Sequence, residues 1–125
     1  MKDFRRLDVW HLSIRLVTNI YEASSRFPGS ERFGLTSQIR RAAVSIPSNI
    51  AEGSGRDSQR DLARFLGYAR GSSAEVECQL VIAHRLGFLE EGHLGPLLAE
   101  TQRAQRMLSS LIRKLRVEAT KTTPA

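Results

Sequence analysis

A chain of 125 residues and 14.0 kDa supports one compact domain and is too short for two. Hydrophobic residues at 41% and charged residues at 26% exclude a disordered chain and a collagen-like repeat, and no apolar run reaches the roughly 20 residues that a membrane helix needs. With 19 Lys and Arg against 13 Asp and Glu the net charge is +6, and the single cysteine, Cys78, excludes an internal disulfide and a zinc site built mainly from thiolates.

The opening Met1-Lys2-Asp3-Phe4-Arg5-Arg6 lacks the apolar stretch of a secretory signal, so a cytoplasmic protein is expected. The first helix is predicted from Asp8, as N-cap, to Arg26. At 100° per residue Val9, Trp10, Leu12, Ile14, Leu16, Val17, Ile20 and Tyr21 spread over roughly 200° of its surface, about twice the stripe one core uses. One side should therefore pack internally, and Trp10, Ile14, Val17 and Tyr21 should face another copy of the chain in a homo-oligomer. The second helix is predicted from Leu35 to Glu52, with Leu35, Ile39, Ala42, Ala43, Ile46 and Ile50 on one face and a kink at Pro47. Gln38, Arg41, Ser45, Asn49 and Glu52 stack as a polar stripe along the edge of that face.

Ser58-Gln59-Arg60-Asp61 has the form of a capping box and starts the third helix, which keeps its apolar register from Leu62 to about Leu86 before Gly87 ends it. The fourth is predicted from Gly92 to Val117, with Leu94, Leu98, Thr101, Gln105, Leu108, Ile112 and Leu115 at seam spacing. No segment alternates apolar and polar residues over strand length. Four helices with short connections predict an all-α, antiparallel up-down-up-down four-helix bundle over residues 1–117, followed by a flexible tail over 118–125.

Enzymatic signatures are missing: there is no Walker loop, no nucleophile elbow, no His-Glu-x-x-His and no pair of Glu-x-x-His motifs. His11, His84 and His93 are dispersed, and Cys78 lies away from the core stripe with no activating base in view. A non-enzyme without metal or cofactor is the expectation. The polar stripe of the second helix admits two readings together with Glu75 on the third: a structural network that sets packing specificity, or a groove for a ligand or nucleic acid. Arg56, Arg60 and Arg64 are expected to share one face of the third helix, while Arg5, Arg6, Arg113, Lys114 and Arg116 gather at the chain ends. Such cations suit phosphate contacts, although Asp57 and Asp61 can pair with the stripe locally. Gly53-Ser54-Gly55-Arg56 before a helix start has either a capping or a phosphate-holding role.

Leu7-Asp8-Val9-Trp10, Phe27-Pro28, the block Gln38-Ile39-Arg40-Arg41-Ala42-Ala43 with Ser45-Ile46-Pro47-Ser48-Asn49-Ile50-Ala51-Glu52-Gly53, then Phe65-Leu66 and Ala69-Arg70-Gly71-Ser72-Ser73-Ala74-Glu75 form a recognisable set. In these residues the chain resembles the four-helix-bundle family named for open reading frames in intervening sequences of bacterial 23S ribosomal RNA. The resemblance implies an antiparallel bundle that assembles into a ring-like homo-oligomer, a pentamer, and a related accessory-protein family of diversity-generating retroelements implies association with nucleic acid. The combined expectation is a basic, non-enzymatic homo-oligomer that binds structured RNA or DNA through Arg-rich surfaces. The alternative is a scaffold or accessory subunit that docks another polypeptide on its first helix.

Overall fold

Helix starts are set by what the chain offers to the first free amides. Ser58 Oγ accepts a hydrogen bond from the Asp61 amide at 3.0 Å, and the Glu31 carboxylate accepts one from the Leu35 amide at 3.0 Å. The computed structural model, which describes residues 3–122, accordingly places α1 at Asp8–Ser24, α2 at Leu35–Ser54, α3 at Gln59–Arg85 and α4 at Glu91–Thr122. Short 3-10 turns at Phe4–Arg6 and Gly29–Glu31 precede α1 and α2. Asp8 is the first residue of α1 and not its N-cap: Leu7 holds the cap position with extended backbone, and its carbonyl accepts from the Trp10 amide at 3.0 Å. At the other end of α3, Gly87 takes φ +82°, and the Phe88 amide returns to the Ala83 carbonyl at 2.9 Å in a Schellman closure.

α2 continues through the buried Pro47 without interruption, because the apolar face on both sides, Ala43, Ile46 and Ile50, is anchored in the core. α4 remains helical past Val117 to Thr122, beyond the expected start of the tail, and Gln59 Nε2 on α3 reaches Glu118 there at 3.4 Å. Residues 123–125 lie outside the described part.

Each helix packs on its chain neighbours, α1 on α2, α2 on α3 and α3 on α4, and α4 closes back on α1. The diagonal pairs make no backbone approach among the described residues. That square is the up-down bundle the loops predict. Its centre holds Leu16, Ile20, Ile39, Ile46, Ile50, Leu62, Leu66, Leu80, Leu108 and Ile112, each withdrawn from water.

α2 and α3 approach closely at Gly53, where an added Cβ would stand 2.8 Å from Phe65 Cβ and 3.3 Å from the Leu62 carbonyl oxygen. Gly53 is thus a packing residue inside α2, and the option of a phosphate-holding loop at this glycine is removed. α1 is the less enclosed helix. Trp10, Ile14 and Val17 are half-buried, with the Trp10 ring 4.9 Å from that of Phe4, and Tyr21 keeps 43% of its surface open under the Arg40 guanidinium, 4.5 Å above the ring.

Candidate nucleic-acid interface

Antiparallel pairing decides which cations meet. Arg70 Nη1 on α3 donates to Ser109 Oγ on α4 at 3.2 Å, and Gln59 pairs with Glu118, so the first half of α3 lies along the last half of α4. Asn19 reaches Glu100 at 3.0 Å, which runs α1 against α4 the same way and brings Leu7 to Val9 beside Met107 to Lys114. One end of the bundle therefore contains residues 3–12, 45–72 and 107–122, and carries ten Lys and Arg against six Asp and Glu. The other, residues 13–44 and 73–106, carries eight against seven. All eight basic residues singled out from the sequence, Arg5, Arg6, Arg56, Arg60, Arg64, Arg113, Lys114 and Arg116, fall at the first end and are exposed.

The expected stripe on the third helix is corrected in one member. Arg56 sits in the turn between α2 and α3, because the helix waits for the Ser58 cap. Its guanidinium pairs with Glu52 at 2.9 Å and lies 4.8 Å from the Phe65 ring centroid, while Arg64 pairs with Asp61 at 3.4 Å and covers the same ring at 5.2 Å. These are solvent-screened pairs of small worth. Arg60 makes no ion pair among the described residues.

A groove that the sequence did not announce runs between α3 and α4. Arg70, Ser109, Ile112, Arg113, Arg116, Val117 and Thr120 line a space of about 520 Å³. None of its three arginines is ion-paired with a carboxylate among the described residues, and Ser109 and Thr120 add hydroxyls to the wall. Arg113 and Arg116 were legible as a terminal cluster; Arg70 was not, because its neighbours belong to another helix. Three guanidiniums without a carboxylate partner line one groove and match the donors that phosphate oxygens accept, while Ser109 already accepts from Arg70 and Thr120 donates to the Arg116 carbonyl at 2.9 Å.

The polar stripe of α2 divides. Ser45 bonds to Ser72 Oγ across the helix pair, and Asn49 donates back to the Ser45 carbonyl at 2.8 Å within its own helix. Glu52 is taken by Arg56, so the single network of Gln38, Arg41, Ser45, Asn49, Glu52 and Glu75 does not form. Gln38, Arg41, Ser45 and Glu75 instead line an open groove of about 390 Å³ with Ala42 and Gln79. The acidic bridge between α3 and α4 comes from Glu77, which accepts from Gln105 at 2.9 Å and Gln102 at 3.1 Å. Those two amide donors hold its carboxyl below its ordinary pKa, Gln105 first and Gln102 second, against a smaller upward effect of burial.

At the opposite end Arg26 and His84 find carboxylate partners, while its other seven arginines make no ion pair among the described residues. Arg26 lies 3.9 Å from Glu22 and 3.2 Å from His93 Nε2, and His84 contacts Glu91 at 3.1 Å and the Leu89 carbonyl at 2.9 Å. His93 lies in the first turn of α4, which starts at Glu91. His11 Nε2 meets the Arg5 carbonyl at 2.7 Å. Cys78 is exposed, and no cluster of three or more His, Cys, Asp and Glu able to hold a metal occurs among the described residues. No described helix is long and apolar enough to cross a membrane.

Comparison with known proteins agrees with the bundle. Its fold is similar to the crystal structure of a protein of unknown function from the S23 ribosomal protein family of Bacteroides thetaiotaomicron VPI-5482, at TM-score 0.78 and 22% identity, covering 84% of this chain and 95% of that one. No curated relative matches the sequence. Residues 5–110 match the family model described as 23S rRNA-intervening sequence protein, a span that includes α1 to α3 and most of α4. The chain belongs to the 23S rRNA-intervening sequence protein family.

Proposed function

We propose that this chain is a non-enzymatic, basic homo-oligomer that binds structured RNA or DNA, with the α3–α4 groove of each subunit as its main phosphate site. The observation that carries the reading is that the guanidiniums of Arg70, Arg113 and Arg116 line one groove at the end with the cationic excess and none has a carboxylate partner among the described residues. Arg60 and the terminal Arg5 and Arg6 extend the field at that end, and Arg56 and Arg64 add to it after exchanging weak local partners for phosphate. The half-buried Trp10, Ile14 and Val17 and the exposed Tyr21 on α1 support assembly, with a pentameric ring as the form the resemblance implies. Repetition would make later phosphate contacts intramolecular and raise avidity without new chemistry.

Light scattering and a salt titration of RNA binding test this together. A closed oligomer whose affinity falls steeply with salt is expected, and replacement of Arg56, Arg60 and Arg64 by Ala should lower the log–log slope by about 0.9 for each phosphate that is no longer neutralised. A monomer indifferent to RNA would sink the reading and move the function to docking of a foreign polypeptide on α1.

A further inference from the structure

The α2–α3 groove has hydrogen-bonding demands that its own residues leave open. Arg41 and Glu75 line it from opposite helices, yet neither is ion-paired with the other or with any described residue. Gln79 also lines it, and its Oε1 is buried with no hydrogen-bond donor, an uncommon state for a buried acceptor. Ser45 and Ser72 satisfy each other beside it. Arg41 and Glu75 are exposed to water, and an occupant that displaced that water would bring neighbouring donors to Glu75 and Gln79 and an acceptor to Arg41.

Among the bases, guanine offers that arrangement. Its N1–H and N2 amino group lie side by side as two donors for a carboxylate, while O6 and N7 are acceptors for a guanidinium. Adenine places ring acceptors on both sides of its one amino group, and uracil has a single N–H between two carbonyls. Base edges are readable in this way when a strand is unpaired and the bases are splayed out.

The strand has a path to the groove. Arg64, Tyr68, Ser72, Glu75 and Gln79 follow one another at steps of three or four residues and so occupy one strip of α3. Tyr68 is half exposed and stands edge-on to Phe65, with ring centroids 5.4 Å apart. From Tyr68 to Glu75 the helix rises about 10 Å. A cation at the basic end, an open aromatic ring and a base-edge pocket thus lie in line, the combination that single strands use.

We propose that the α2–α3 groove holds an unstacked guanine of a single-stranded segment, with Glu75 and Gln79 accepting from its N1 and N2 donors and Arg41 donating to O6 or N7. This assignment rests on the proposed nucleic-acid function and adds base selection to it.

The test uses the full chain and labelled single strands of about 12 nucleotides. One is all adenine, one carries a single central guanine and one carries inosine in its place, and anisotropy is read at about 50 mM salt. The guanine strand should bind about 10-fold tighter than the adenine strand, with inosine, which lacks the N2 amino group, between them. Glu75→Gln, at an exposed position whose fold is checked by thermal melting, should bring the guanine-to-adenine ratio close to one. The triple variant Arg70→Ala, Arg113→Ala, Arg116→Ala should weaken both strands and leave the ratio intact. Equal binding of guanine and adenine strands by the unaltered protein overturns the groove assignment alone. Failure of every strand and of structured RNA to bind overturns it together with the nucleic-acid function.

Discussion

The two ends of this bundle are built from the same helices and differ in how much cationic excess they carry. At the end with Arg26, Glu31, His84 and Glu91, eight basic residues meet seven acidic ones, and Arg26–Glu22 and His84–Glu91 are the ion pairs there among the described residues. At the end with Arg70, Arg113 and Arg116, ten meet six, and the α3–α4 groove contains no ion pair among the described residues. Net charge spread evenly would serve solubility; a cationic excess concentrated at one end provides a field for a polyanion. The +6 of the chain is therefore less informative than where antiparallel packing puts it.

Four measurements probe this contrast between the ends. The largest effect is expected from the basic groove: Arg70→Ala, Arg113→Ala and Arg116→Ala together should reduce the salt slope of RNA binding by up to about 3. Arg26→Ala, Arg32→Ala and Arg85→Ala should leave it unchanged, and equal losses in filter binding would dissolve the distinction. Next comes Gly53→Ala. Its Cβ would meet backbone-anchored atoms of Phe65 and Leu62, so about 1–3 kcal/mol of stability should be lost in urea unfolding. A wild-type midpoint would mean that α2 and α3 separate there at no cost.

Glu31→Ala removes the acceptor for the Leu35 amide and should cost about 1 kcal/mol while RNA affinity stays the same, which separates capping chemistry from binding chemistry. The smallest effect belongs to Glu77. Its folded pKa is lowered, so its contribution is present above the ordinary carboxylate value and disappears as pH falls through the folded value. Glu77→Gln should therefore flatten stability against pH only in the acid limb; a change confined to neutral or alkaline melts would contradict the assignment.

Helices were legible because their signals are local. Ser58 and Asp61 are three residues apart and Gly87 follows its helix directly, so α3 begins and ends within a residue of expectation. Asp8 misled as a cap, since Leu7 enters α1 directly from a 3-10 turn that local composition does not reveal. α4 runs to Thr122, past its expected end at Val117, and Gln59 on another helix reaches Glu118 in that added stretch. The basic residues were legible as types and as clusters. Their meeting at one end was not, and neither was the place of Arg70 in the groove.

Spacing along single chain segments was enough to define four amphipathic helices, their order, the excess of arginine and the surplus apolar arc of α1. That Arg70 faces Arg113 and Arg116, that Glu77 rather than Glu75 bridges to α4, and that Arg41 and Glu75 line a groove without pairing emerged only from the packed bundle. Those are relations between helices, and they follow from which turn of one cylinder lies against which turn of its neighbour, a register set by the summed packing of the whole core.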